Sequence, residues 1–575
     1  MKNNRVIGFC LIFAFIQTLT LFITHNLESK CFFDDWCDNL FLISYASNRL
    51  HMNWSFPILF NGEVIGSNVY LLYGYLFYPL TSFLALFFNA EIVVKAFIFL
   101  LQFSKILLIY RILSYSSLKG ETRLLVSFIA SWSIFSNSVY FSAGSLPSVM
   151  GSEIILVGIL FLMYSGLCID RRNYCCGSIF VLVGMLCWPG HIVHGAIIAA
   201  PLYIFASRKY DYKSIALTVV FAIIVSTPYF VELIKFAFNT PNYLEGLGWF
   251  SELDKFWNRV APYPRNIKSI LSGIKEFETP LFDTQVNIYA WIVLLVAAII
   301  TGKKSKFSYI FSIYFLLSLA YLLLSLFPVL TSLLPKYLTS LHFHYRYIYY
   351  AESVIIISLL AFLIGNQVDL GKFIKFLYVL VGCVLISIMI RTEYNVLSKG
   401  VMPFSNWGPA SVLGFKDGNE KISYMFGADL FVDQEKKQKL LFEVPRTAAQ
   451  IWSYSDIAKA FSGDNKCIDI PVMVESNSFS VVSNVDCYVR LPVFPFSGNK
   501  IFLNDSLVGI QNIYSDDTKL AVHIKVPAGK NSIKIVEYKG FISELARSII
   551  LLFAVLAFYG IFCIAFMRLI RDVRY

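Results

Sequence analysis

The chain has 575 residues, of which 57% are hydrophobic and only 15% are charged. Soluble domains carry about 25% charged residues, so a soluble enzyme is excluded as a reading of the whole chain. The net charge of +11 does not indicate nucleic-acid binding, because many of the basic residues fall in short loops between apolar runs. The eleven cysteines lack the paired CxxC spacing of a zinc site.

Apolar runs lie near 6–25, 70–89, 93–112, 124–140, 148–168, 174–189, 191–206, 214–237, 286–301, 307–328, 347–365, 372–390 and 545–567. Runs of roughly 20 residues predict a polytopic α-helical membrane protein. The first run follows a basic tip (Lys2, Arg5), and no small-residue cleavage site follows it, so it reads as an uncleaved span. Basic loops then decide which runs cross. Arg111/Lys119/Arg123, Arg171/Arg172, Arg208/Lys209/Lys213, Lys303/Lys304/Lys306, Lys372/Lys375 and Arg568/Arg571/Arg574 belong on the cytoplasmic side. All of them fall there if 70–89, which contains Gly74 and Pro79, is a broken interfacial helix. The same logic splits 174–206 into two short spans at Trp188-Pro189-Gly190. The expectation is twelve spans with both termini cytoplasmic, and with 26–92, 238–285 and 391–544 outside. Residues 1–390 form a transmembrane module, 391–544 an extracytoplasmic domain, and 545–575 a last span with a basic tail.

Within 391–544 hydropathy falls and apolar residues alternate, as in SFSVVSN, YVRLPV and NSIKIVEY. That period, with Asn-Asp and Pro-Ala-Gly turns, predicts a small antiparallel β-domain. Cys467 and Cys487 in it, and Cys31 and Cys37 near the first span, are either disulfides of an oxidising compartment or free thiols.

Three carboxylates, Asp34, Asp35 and Asp38, follow the first span in FDDWCDNLFLISYASNRL. Acids held at a membrane exit suit proton transfer on a lipid-borne substrate. The structural alternative is that Asp34 or Asp35 caps the amphipathic helix that follows. Arg346 sits where LHFHYR meets a late span, close to His342 and His344, with Lys336 a weaker neighbour. A guanidinium forks onto a lipid phosphate, although a snorkelling anchor is the other reading. His191 and His194 in WPGHIVHG share a helical face. They suit a metal ion, a phosphate or, more commonly, a satisfied polar pair inside the bundle. Glu153 and Glu232 lie within spans and must face the interior, with Lys95 and Lys105 as partners of such acids.

In its motif order the chain resembles the GT-C superfamily of polytopic glycosyltransferases, and within it the bacterial YfhO-like membrane proteins. The carrying stretches are the acidic loop FDDWCDNLFLISYASNRL, Trp54-Ser-Phe-Pro57 with LLYGYLFYPL, AGSLPSVMGSEIIL, WPGHIVHG, LHFHYRYIYYAE, and a KIFLND…VPAGKNSI segment before one final span. The resemblance implies transfer of a sugar from a polyprenyl-phosphate donor to a glycan or glycolipid acceptor of the cell envelope. It implies a bacterial cytoplasmic membrane location with an extracytoplasmic active site. It assigns the general base to the first outer loop, with Asp38 first, then Asp35 and Asp34. It makes Arg346, His344, His342 and Lys336 the expected donor-phosphate group. A divalent cation, Mg²⁺ or Mn²⁺, stays open, since some members need one and others do not. A lipid transporter or flippase and a polysaccharide polymerase or ligase are the rival classes. The hydropathy pattern lacks the inverted repeat expected of many transporters.

Overall fold

The computed structural model describes residues 3–23, 36–57, 60–61, 65–67, 70, 74–131, 146–207, 212–239, 308–326, 330, 334, 347–365, 460–462, 472–475, 478–484, 486–491, 500–509, 513–515, 522–536 and 542–574. Most of these are helical. In chain order they form α1 (Asn3–Ile23), α2 (Trp36–Asn53), α3 (Phe77–Ala85), α4 (Ala90–Ile112), α5 (Gly120–Ser131), α6 (Leu146–Cys168), α7 (Arg171–Cys187), α8 (Ile192–Ser207), α9 (Tyr212–Asn239), α10 (Ser308–Leu326), α11 (Tyr347–Gly365) and α12 (Glu544–Arg574). Five helical segments are long and apolar enough to cross a bilayer: Ala90–Tyr115, Leu146–Cys168, Pro189–Ser207, Ile215–Ile234 and Glu544–Arg571. Shorter apolar helical stretches cover Arg5–Leu19, Tyr309–Leu324 and Tyr349–Gly365. This architecture is compatible with a helical membrane protein.

Local sequence sets the helix starts. The Asn89 side chain accepts from the Glu91 N–H at 2.9 Å and opens α4, with Glu91 in the first turn and Arg111 in the last. Both charges complement the helix dipole. Asp170 does the same for α7 through the Arg172 N–H at 2.9 Å. At α12 the Ser543 hydroxyl accepts from the Ala546 N–H.

The run 70–89 does not become a span. Its helix α3 has nine residues, about 13 Å at 1.5 Å per residue, against a hydrocarbon core of about 30 Å. It differs from the expected interfacial helix in being packed inside the bundle, with Phe77 through Ser82 all buried. The hydroxyl of Tyr559 on α12 donates to the Leu80 carbonyl at 2.9 Å. Gly74 is required just before α3, because a Cβ there would lie 2.3 Å from the Tyr78 ring.

Helices α6 and α7 approach each other closely, backbone to backbone. Gly151 faces Gly184 and Gly158 faces Gly177; a Cβ on Gly158 would meet Val181 N at 2.7 Å and Gly177 O at 2.9 Å. Small residues spaced seven apart on both helices let the backbones touch, which is how helices associate where no hydrophobic drive separates them from lipid. Gly158→Val is expected to lower bundle stability by about 1–3 kcal/mol. Gly560→Val, where nothing lies within 4 Å, is expected to be near neutral. Thermal unfolding of both variants in one detergent checks this.

After α7 the chain turns at Trp188 through a short 3₁₀ segment, Pro189–His191, and α8 returns along α7. Tyr174 and Tyr203 rings lie 6.1 Å apart and the Tyr203 hydroxyl reaches the Ser178 carbonyl at 3.4 Å. The predicted break is therefore a helical hairpin, because proline and glycine end α7 and the next N–H groups restart a helix.

Several arginines gather at one end of the bundle. Arg111 ends α4, Tyr115 lies 6.3 Å from Tyr164 near the end of α6, and Arg568 on α12 lies 3.9 Å from Asp170. Arg111, Arg171, Arg172, Arg568 and Arg571 thus share one end. The opposite end collects α2, the chain around Phe56, the α7–α8 turn and the first turns of α6, α11 and α12.

Between 460 and 536 the described residues form strands. One antiparallel sheet has the order β3 (Ala460–Ser462), β6 (Cys487–Leu491), β10 (Val522–Val526), β9 (Ile513–Ser515). The other runs β4 (Val472–Glu475), β5 (Ser478–Ser483), β11 (Gly529–Val536), β7 (Lys500–Leu503), β8 (Ser506–Leu507). A two-stranded ribbon, β1 (Phe60–Asn61) and β2 (Ile65–Ser67), follows α2. Val481, Ile501, Ile524, Val526, Ile533 and Ile535 are buried. Cys31 and Cys467 lie outside the described residues, and with them the choice between disulfides and free thiols for both pairs.

Candidate functional site

Of the three candidate bases, Asp38 is the one that falls in a described element, helix α2. The helix begins at Trp36, two residues before Asp38, so Asp38 is the third helical residue rather than the opening one. Trp36 and Cys37 extend the apolar pattern backwards, and ends commonly shift by this much. Asp34, Asp35, Lys336, His342, His344 and Arg346 lie outside the described residues.

What surrounds α2 is largely aromatic. The residue after Asp38, Asn39, is buried and its Oδ1 accepts from the Tyr78 hydroxyl at 2.9 Å. The Tyr70 hydroxyl donates to the Leu42 carbonyl at 2.8 Å, and its ring meets Tyr78 edge-on at 5.0 Å. Burial holds the Tyr70 and Tyr75 hydroxyls well above their ordinary range of ionisation, so both stay neutral. Ala46, Phe56, Pro57, Tyr75, Arg547 and Leu551 join Tyr70 and Tyr78 around a narrow cleft whose free volume is about 10 Å³, room for about one water molecule.

Arg547 closes this cleft from α12 and is 3% exposed. Its Nη2 donates to the Phe56 carbonyl at 3.1 Å, and the Phe56 N–H donates to Ser548 Oγ at 2.9 Å. Arg49 on α2 lies 3.6 Å from Glu544, and Glu232 on α9 accepts from the Ile542 N–H at 3.0 Å. The first turn of α12 is thus tied to both α2 and α9. Glu232, predicted to face the interior, is fully buried.

A second group sits at the α7–α8 turn. His191 Nε2 lies 2.6 Å from the Ser148 carbonyl, which can only accept, so that nitrogen carries the proton. In the neutral ring Nδ1 then accepts from the Tyr350 hydroxyl. His194 Nδ1 lies 3.2 Å from the Tyr321 hydroxyl, and its ring packs against Tyr347 at 5.4 Å and Tyr350 at 5.1 Å. With both ring nitrogens of His191 engaged by protein, the histidine pair does not fit a metal. Among the described residues no three His, Cys, Asp or Glu side chains converge as a cation site. The pair instead packs against the first turn of α11, which begins one residue after Arg346. The Leu76 N–H donates to the Leu186 carbonyl at 3.0 Å, so the chain entering α3 is bonded to the end of α7 beside this group.

One of the two interior acids, Glu153, pairs with a lysine as expected in kind. Lys105 on α4 pairs with Glu153 on α6, both buried. Lys95 pairs instead with Glu91, one turn earlier on its own helix, at 2.7 Å. Sequence reasoning missed Arg547, although an arginine within an apolar run is a signal of an interior position. It also missed Tyr70, Tyr75 and Tyr350, because an aromatic in so aromatic a chain carries no signal by itself.

No protein-family model, no curated protein and no solved structure matches the chain.

Proposed function

We propose that the chain is a GT-C-type membrane glycosyltransferase. It moves a sugar from a polyprenyl-phosphate donor to a glycan or glycolipid acceptor of the cell envelope, with inversion. The observation that carries the reading is the placement of the first turn of α2, with Asp38, at the end of the bundle opposite the shared arginines. The positive-inside rule supports reading that arginine-rich end as cytoplasmic, and α2 as extracytoplasmic with it. The Asp38 carboxylate takes the acceptor hydroxyl proton as that oxygen attacks the anomeric carbon. The bond from that carbon to the phosphate oxygen breaks, and polyprenyl phosphate leaves with its electron pair, so no strong acid is needed. Asp35 and Asp34 stand next in line as the base. Arg346, with His344, His342 and Lys336 in support, holds the phosphate, and the His191–His194 group anchors the helix that Arg346 precedes.

The accompanying topology has twelve spans, both termini in the bacterial cytoplasm, and residues 391–544 as an extracytoplasmic β-rich domain. Reporter fusions after Ser116, Asn173, Asp211 and Ser305 are expected to read cytoplasmic, and those after Gly62, Ser251 and Gly463 extracytoplasmic. A cytoplasmic Gly62 would put α2 on the wrong side for a lipid-linked donor at the outer face. The activity itself is tested by transfer of labelled sugar from a polyprenyl-phosphate donor by the purified chain in proteoliposomes.

The buried Lys105–Glu153 pair favours one rival, a lipid or glycolipid transporter, since interior charges also mark transport paths. Movement of labelled glycolipid between leaflets without any covalent transfer would replace the enzyme reading with that one.

A further inference from the structure

The central strand of the five-stranded sheet separates its residues cleanly. On β11, Asn531, Ile533 and Ile535 are buried, while Lys530, Ser532, Lys534 and Val536 are exposed. Register extends the outward face. Lys530 pairs with Val482 and Ser532 with Ser480 on β5, while Lys534 pairs with Phe502 and Val536 with Lys500 on β7. Phe502 in turn faces Leu507 on β8. Val482 is 60% exposed and Leu507 59%. One face therefore presents three lysines, Lys500, Lys530 and Lys534, interleaved with exposed aliphatic side chains, and one acid, Glu475, at the β4 register position beyond Ser478.

That mixture is unusual for a solvated sheet face, where polar residues alone alternate outward. The aliphatic residues would gain from leaving water, and lysine stems can lie along apolar surface with the charge kept at the rim. The tether is short. Strand β11 ends at Val536 and α12 begins at Glu544, and the intervening chain spans at most about 30 Å when fully extended. The face is thus leashed to a helix long and apolar enough to cross a bilayer.

We propose that this face docks on the membrane surface. Val482, Leu507 and Val536 enter the headgroup layer, and Lys500, Lys530 and Lys534 meet anionic lipid phosphates. The proposal does not depend on the glycosyltransferase reading. A carbohydrate acceptor fits less well, because sugar rings stack on exposed aromatic faces and Phe502, the aromatic residue that the register puts on this face, is half-buried.

The test uses the full-length protein in nanodiscs, with lysines acetylated by an amine-reactive ester and read by mass spectrometry. Lys525 on β10, 56% exposed and in the other sheet, is the internal control. With a third of the lipid as phosphatidylglycerol, Lys500, Lys530 and Lys534 are expected to label several-fold more slowly than in phosphatidylcholine alone. Lys525 is expected not to change, and high salt should remove the difference. Each lysine near an anionic surface favours binding by about fivefold. The K530E/K534E variant should therefore restore fast labelling of Lys500, with unchanged Lys525 labelling reporting an intact fold. Equal rates in both lipids would overturn the proposal. Protection that persists in detergent would overturn it too and assign the face to another part of the chain. Protection induced by an added anionic oligosaccharide but not by lipid would make it a glycan surface instead.

Discussion

Asp38→Asn is expected to cut single-turnover sugar transfer by about 10²–10⁴ while leaving expression and donor binding near parental levels. The amide is nearly isosteric with the carboxylate but cannot take a proton, and loss of a general base has an effect of that size. The third position of α2 does not depend on aspartate for helix formation, since the helix already begins at Trp36. Asp34→Asn should act weakly. Parental rates in the Asn variants of Asp34, Asp35 and Asp38 would make these acids structural and remove the main support for an enzyme. Loss confined to Asp35→Asn would keep the chemistry and move the base one turn back.

Removing Glu153 should be the most damaging single change to stability among the described residues of the bundle. Glu153→Ala leaves the Lys105 ammonium buried without the carboxylate that neutralises it. Breaking a buried pair on one side costs about 3–5 kcal/mol, against a total stability of about 5–15 kcal/mol. Most of the protein should then fail to accumulate. The double change Glu153→Leu with Lys105→Met removes both charges and is expected to recover much of the loss. A double-mutant cycle on unfolding in detergent separates the two outcomes. If Glu153→Ala is as stable as the parent, the ammonium has another route to solvent and the pair contributes little.

Several features could be read before any coordinates. The break at Trp188-Pro189-Gly190 follows from backbone chemistry that is local, and it appears as a helical hairpin. That Glu153 must meet a cation follows from hydrocarbon alone. Other features needed distance information that sequence patterns do not carry. Lys95 had an interior acid to choose in principle, but the acid four residues earlier on its own helix is always within reach. The seven-residue spacing of Gly151 and Gly158 is visible in the chain. That it matches Gly184 and Gly177 in reverse order only matters once α6 and α7 are known to be neighbours. The cleft under α2 was the least legible. Its walls come from residues near 46, 56, 70, 75, 78 and 547, which share no common period.

The contacts of Phe56 with Arg547 and Ser548 also bear on the order in which the chain is made. Synthesis runs from the N-terminus, so α2 and the tyrosines around it are inserted long before the helix that closes them. Until α12 emerges, Phe56 lacks the Arg547 and Ser548 side chains that bond its carbonyl and its N–H. A chain that stops short of α12 would lose the wall of that cleft along with its final helix. Arrival of α12 is then the event that completes a wall begun by α2, about five hundred residues earlier in the chain.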